Sequence, residues 1–124
     1  MSNYATENLR TLALVGHGSC GKTTLIEAML YRAGMIPEMG SIQRGTTMCD
    51  NDLLEKEVGH SIRLAVAHID TAMTDLTPVR IHILDTPGYP DYLGQDMSAL
   101  DAVKSVCAVI DPTKGPELLT RRLM

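Results

Sequence analysis

The run Gly16-His17-Gly18-Ser19-Cys20-Gly21-Lys22-Thr23 constrains this chain more than any other feature. It fits the pattern Gly-x-x-x-x-Gly-Lys-Ser/Thr completely, and its flanks have the right character. Residues 10–16 read as a short apolar, buried strand. From Thr23 to Ala33 the apolar residues Leu25, Ile26, Met29, Leu30 and Ala33 recur at helical spacing, which predicts a helix. Gly34 is a suitable stop, and Pro37 ends any continuation. A glycine-rich turn between strand and helix lets successive backbone N–H groups point inward at an anion. The start of the helix adds unpaired N–H groups and a partial positive charge. Lys22, expected to face solvent, supplies a full charge for outer phosphates, and the Thr23 hydroxyl is a candidate ligand for magnesium. Thr24 is grouped with the loop among the candidate phosphate-binding residues.

The rest of the core must be built without large aromatics, because the chain contains no Trp and no Phe among its 124 residues. Leu, Ile, Val, Ala and Met therefore carry it. A net charge of -4 argues against wrapping nucleic acid by charge alone, and no direct nucleic-acid motif is present. Cys20, Cys49 and Cys107 are odd in number and widely spaced, so they read as free thiols of a reducing cytoplasm rather than a zinc site. Cys20 and Cys107 are expected to pack, Cys107 in the core. Leu12-Ala13-Leu14-Val15 is too short for a signal core or a membrane span.

Residues 36–60 show no sustained period, which in a compact domain points to a segment that is either functional or disordered; 52–58 could form a short helix in one state, and Glu55, Lys56 and Glu57 read as a solvated face. Ile62 to Ile69 reads as a strand with Ile62, Leu64 and Val66 on one face, and Val79 to Leu84 as its antiparallel partner after a turn over 71–78. His68 and His82 fall in this pair as surface or edge residues. A helix is predicted over 91–101 with Leu93, Met97 and Leu100 on one side. Val103 to Ile110 is nearly all apolar and reads as a central strand buried on both faces; Pro116 to Met124 begins another helix. The alternation implies an α/β sheet covered by helices.

Asp85-Thr86-Pro87-Gly88 follows the third strand. Alone, Asp-x-x-Gly is a weak signal, since Asp-Thr-Pro-Gly is also a good turn. Placed after a strand and downstream of a complete phosphate-binding loop, it becomes a strong one. Asp85 is then placed to hold magnesium through water, and Gly88 to offer a bare N–H to a terminal phosphate.

Gly-Lys-Thr-Thr-Leu at 21–25, the long loop, Glu-Lys-Glu-Val-Gly-His-Ser-Ile at 55–62 and Asp-Thr-Pro-Gly-Tyr at 85–89 together resemble the GTP-binding domain of elongation factor G and its paralogues, over about residues 9–122. The resemblance implies a P-loop α/β fold of the translation-factor type: three layers, a mostly parallel sheet with one antiparallel hairpin at its edge, here truncated after the fourth strand. Residues 1–124 are then an incomplete GTP-binding domain. It further implies GTP and GDP binding with Mg2+, GTP hydrolysis and a ribosomal partner in the cytoplasm. Four departures stand out. Tyr89 occupies the position of the family's water-positioning His, which makes it the doubtful catalytic candidate. Ser19 stands where the family has Asp. Val58 and His60 replace the residues flanking the loop glycine, Gly59, while Ser61 takes the place of the loop threonine that closes over magnesium. The base-reading Asn-Lys-x-Asp tetrapeptide does not occur. An alternative is a nucleotide-binding switch, or an inert remnant, without turnover; an ATPase or kinase fits the Asp-Thr-Pro-Gly-Tyr segment less well.

Overall fold

The computed structural model describes residues 4–49, 57, 61–73 and 75–124. The expected features at 52–56 and at Val58, Gly59 and His60 lie outside the described residues; Glu57 is exposed, as expected of a solvated face.

The sheet is built from β1 (Leu9–Val15), β2 (Ala65–Ala72), β3 (Pro78–Asp85) and β4 (Ser105–Ala108), in the order β2-β3-β1-β4. β1 runs parallel to both β3 and β4, and β2 is antiparallel to β3. The fold is thus the mixed α/β sheet with one antiparallel pair at its edge that the resemblance implies. Helix α1 (Lys22–Arg32) lies on one face and α2 (Leu93–Ala102) on the other, while α3 (Leu118–Leu123) closes the chain. Because strand side chains alternate, Leu14 of β1 joins Ile26 and Leu30 under α1, whereas Ala13 meets Ala99 under α2. Both faces of β1 are covered, which explains its unbroken apolar run.

Four expectations change. β2 begins three residues later than predicted, and its inward residues are Ala67 and Ile69; Val66 is 65% exposed. Ile62 and Leu64 do not pair with a strand, because the Gln95 side chain on α2 takes their backbone instead, accepting from Leu64 N–H at 2.6 Å and donating to Ile62 C=O at 3.1 Å. Thr71 and Ala72 continue the ladder opposite Val79 and Pro78, so the hairpin turn is shorter than predicted. On α1, Leu25 is exposed while Ile26 and Leu30 are buried. On α2, Asp96 and Ala99 are the buried residues and Met97 is exposed, since it is the small Ala99 that lets the helix approach β1.

The largest correction concerns β4. Among the described residues its only neighbour is β1, and Ser105, Val106 and Cys107 are exposed. Cys107 is therefore a surface thiol, not a core residue. An apolar run reports affinity for burial, not the number of strands beside it. His68 and His82 face each other across β2 and β3, half-buried, with ring centroids 6.3 Å apart.

Candidate functional site

The site forms where the carboxyl ends of β1 and β3 meet the start of α1. Gly16 has φ 154 and Gly21 φ 98, and a side-chain carbon on Gly16 would lie 2.4 Å from the Val109 carbonyl oxygen. The loop thus curls in a path that side chains would obstruct. Ser19 takes φ 63 and is exposed at the rim, Cys20 is half-buried, and Thr24 is exposed on the first turn of α1.

Lys22 does not face solvent, contrary to expectation. It is 5% exposed, and its Nζ donates to the carbonyls of Gly16 at 3.1 Å and His17 at 2.9 Å. The ammonium lies across the mouth of the loop because those carbonyls are the acceptors within reach of a buried cation that cannot remain unpaired. It also approaches Gly88 so closely that a Cβ there would sit 2.3 Å from Nζ. Gly88 itself has φ 76, so the Asp85–Gly88 turn needs glycine for both conformation and space.

Thr23, Asp85 and Ser61 converge. Thr23 Oγ1 donates to Asp85 Oδ2 at 2.6 Å and lies 3.2 Å from Ser61 Oγ. Thr23 and Asp85 are buried. Thr86, wholly buried, donates its hydroxyl to Leu14 C=O at 2.9 Å and ties the second motif to β1; Pro87 is buried beside it. A cleft lined by Ser19, Gly21, Lys22, Thr23, Ile42, Ser61, Thr86, Pro87 and Tyr89 runs between the two motifs. Every residue singled out as phosphate-contacting or metal-ligating therefore belongs to one cluster, apart from Thr24, which projects to the surface.

Tyr89 covers the loop. Its ring sits on Gly18, where a Cβ would meet the ring carbons at 2.3 Å, and its hydroxyl lies 3.3 Å from Ser19 Oγ. The two departures from the family pattern thus touch each other. His17 is tilted against Tyr89 with centroids 6.4 Å apart, and its Nε2 pairs with Glu117 Oε2 at 3.1 Å, just before α3.

Three residues of consequence were not singled out from the sequence. Glu27, buried on α1, accepts the N–H groups of Gly40 at 3.0 Å and Met48 at 2.5 Å, and so pins both ends of a loop segment. Gln95 pins the backbone just after Ser61. Asp96 is 0% exposed. Burial pushes its carboxyl above the ordinary carboxylate range, opposed by the Thr86 hydroxyl, the Gly88 N–H and the charge of Lys22. The available signal was a charge at core spacing: Glu27 lies between Ile26 and Leu30, and Asp96 stands three residues from Leu93 and from Ala99.

Similarity to known proteins agrees with this architecture. The family described as the elongation factor Tu GTP binding domain matches residues 7–124. The tetracycline resistance protein TetM from transposon Tn1545 of Enterococcus faecalis is 36% identical over 112 residues, which is 90% of this chain and 17% of that protein. An elongation factor G-like protein of Mycobacterium tuberculosis is 36% identical over 115 residues, 93% of this chain and 15% of its own length. The chain thus spans less than a fifth of either relative. Among solved structures, ttk003000868 from Thermus thermophilus superimposes with a TM-score of 0.83 at 35% identity, covering 92% of this chain and 16% of that one. The bacterial selenocysteine-specific elongation factor EF-Sec shares the fold, with a TM-score of 0.68 at 23% identity over 92% of this chain and 16% of its own. The glycine-rich loop, the Asp-Thr-Pro-Gly turn beside it and the sheet that joins them place this chain in the elongation factor Tu GTP-binding domain family.

Proposed function

We propose that the loop Gly16-His17-Gly18-Ser19-Cys20-Gly21-Lys22-Thr23, with Thr24 and with Asp85-Thr86-Pro87-Gly88, binds the phosphates of GTP and GDP, and that residues 1–124 act as the amino-terminal part of a GTP-binding domain in a cytoplasmic, ribosome-associated factor of the elongation factor G type. The observation that carries this reading is the meeting of Thr23 and Asp85 at 2.6 Å beside the buried Lys22, across 62 residues of sequence. A lysine restrained by two carbonyls, next to a curl of backbone N–H groups, offers both fixed dipoles and a full charge to phosphate oxygens.

The donor set suits magnesium. Two hydroxyls and a carboxylate are hard oxygen ligands. Thr23, Asp85 and Ser61 would hold the ion, directly or through water, and a bound Mg2+ would neutralise charge on the terminal phosphates. This chain's own part is to bind and orient: Lys22 fixes the loop, Gly88 offers its N–H, and Gln95 holds the backbone next to Ser61. No described helix is long and apolar enough to cross a membrane.

Slow turnover, or binding without turnover, is favoured by Tyr89, whose hydroxyl sits against Ser19 and whose ring rests on Gly18. A phenol so placed cannot polarise water as an imidazole does. Nucleotide titration of the parent and Lys22→Ala, followed by single-turnover hydrolysis of the parent and Tyr89→His, tests the reading. Lys22→Ala is expected to abolish binding, and Tyr89→His to raise the rate above the roughly 10⁻⁴ per second of unassisted switch GTPases. Undiminished GTP binding by Lys22→Ala would remove the assignment of the loop.

A further inference from the structure

One wall of the cleft comes from neither of the two phosphate-facing turns. Ile42 lines it together with Gly21, Thr23 and Ser61, and is itself half-buried in a single 3-10 turn, Ile42–Arg44. That turn belongs to a closed clip, residues 40–48. Inside the clip, Ser41 N–H donates to Thr46 Oγ1 at 3.0 Å and Thr46 N–H donates back to Ser41 C=O at 3.2 Å. Gly45, at φ 62, donates to Ile42 C=O at 3.0 Å. Both ends of the clip are held by one side chain: Glu27 Oε2 accepts Gly40 N–H at 3.0 Å, and Oε1 accepts Met48 N–H at 2.5 Å. The fit is close, since a Cβ on Gly40 would fall 2.7 Å from Glu27 Oε2 and 2.6 Å from the Thr46 carbonyl oxygen. Thr47 and Cys49 are buried beside it, Cys49 in the cluster under α1. Glu27 is 1% exposed and lies one helical turn after Thr23, so the same face of α1 presents Thr23 to the cleft and Glu27 to the clip.

We propose that Glu27 is a positioning residue for nucleotide retention: it clamps residues 40–48 to α1 so that Ile42 narrows the cleft and slows release of the bound nucleotide. This rests on the phosphate-binding reading above and adds to it a control of residence time. Ile42 brings neither charge nor a hydrogen-bonding side chain to a phosphate, so what it contributes to a polar cleft is bulk and the exclusion of water. Both anchoring bonds of the clip go to α1, the helix that carries Lys22 and Thr23, rather than to Gly88, which is proposed to meet the terminal phosphate. The clip therefore acts on GDP and GTP alike. A carboxylate that accepts two N–H groups, one on each oxygen, grips more firmly than an amide, whose single oxygen is neutral.

The test is the rate at which fluorescent GDP, and a fluorescent non-hydrolysable GTP analogue, leave the protein when displaced by excess unlabelled nucleotide with Mg2+. It is measured on the full 124-residue chain, on Glu27→Gln, on Ile42→Ala and on the double variant. Glu27→Gln is expected to speed release of both nucleotides about tenfold, and Ile42→Ala about fivefold. The double variant should release no faster than Glu27→Gln, because Glu27 acts through Ile42. If Glu27 served the fold alone, Ile42→Ala would release nucleotide at the parent rate, and that result overturns the inference. Effects that multiply in the double variant, or acceleration confined to the GTP analogue, overturn it as well. Should Glu27→Gln fail to fold, Ile42→Ala decides by itself: faster release of both nucleotides supports the inference, and the parent rate overturns it. Each of these outcomes leaves the phosphate site standing, since the parent still binds. Binding of neither nucleotide by the parent overturns this inference and the site reading together.

Discussion

The two faces of the sheet are unequal. Under α1, seven buried residues including Leu14, Ile26, Leu30, Ile69 and Ile83 form one apolar cluster with a wide margin of half-buried neighbours. Under α2 the buried cluster among the described residues is Ala13, Leu84 and Ala99, and the other buried side chain of that helix is Asp96. The first face is built for stability. The second is thin, and the helix that covers it buries a carboxylate, Asp96, three residues before Ala99. One sheet thus carries most of its apolar burial on one side.

Substitutions can break this contrast, and the largest effect is expected in the apolar cluster. Leu30→Ala, at a wholly buried position under α1, should cost about 3 kcal/mol in chemical denaturation, the sum of lost burial and a residual cavity. A cost below about 1 kcal/mol would mean that this face is not the stabilising one. Glu27→Ala removes the acceptor shared by Gly40 and Met48 and should destabilise by about 2 kcal/mol, with faster proteolysis of the segment it pins. Unaltered cleavage there would show that the loop is held by other contacts.

On the other face the sign reverses. Asp96→Asn should stabilise the fold at neutral pH by about 1 kcal/mol, because for this carboxyl the cost of burial outweighs what Thr86, Gly88 and Lys22 return. The carboxyl has a higher proton affinity folded than unfolded, so the folded state binds more protons between the two values and is destabilised as pH rises through that interval. The advantage of Asp96→Asn is therefore full above the folded value and shrinks as pH falls toward the ordinary range near about 4. Thermal unfolding of parent and variant across that interval measures it, and a gain independent of pH would assign the effect to packing. The smallest change is expected from Tyr89→Phe, which deletes the hydroxyl at Ser19 but keeps the ring on Gly18, at about 0.5 kcal/mol. A large loss of stability would make that contact a structural tie.

The two turns proposed to bind phosphate stand out in the sequence because their pattern is short and local. Gly16 to Thr23 and Asp85 to Gly88 need glycine, lysine and carboxylate at fixed offsets after a strand, and both lie where the flanking strands predict. What escaped depends on partners far along the chain. Gln95 displaces the start of β2 by binding Ile62 and Leu64, and no period in residues 62–69 encodes a side chain 31 residues beyond Leu64. Val103 to Ile110 looks central because it is apolar, but only the presence of a second neighbouring strand would make it so. Lys22 looked solvent-facing because lysine usually is; the carbonyls of Gly16 and His17 reverse that default.

The ties that assemble the cleft also have a kinetic meaning. Thr23 reaches Asp85 across 62 residues, Ser19 reaches Tyr89 across 70, and Thr86 reaches Leu14 across 72. Each requires β3 to dock on β1 first, a long closure whose entropic cost comes before any contact offsets it. α1 and the β2–β3 hairpin can form from near neighbours in sequence, while the phosphate cradle exists only once the parallel pair has closed. A ligand of the proposed phosphate site would therefore arrive after folding rather than guide it, and its stabilisation should appear mainly as slower unfolding, with the folding rate nearly unchanged.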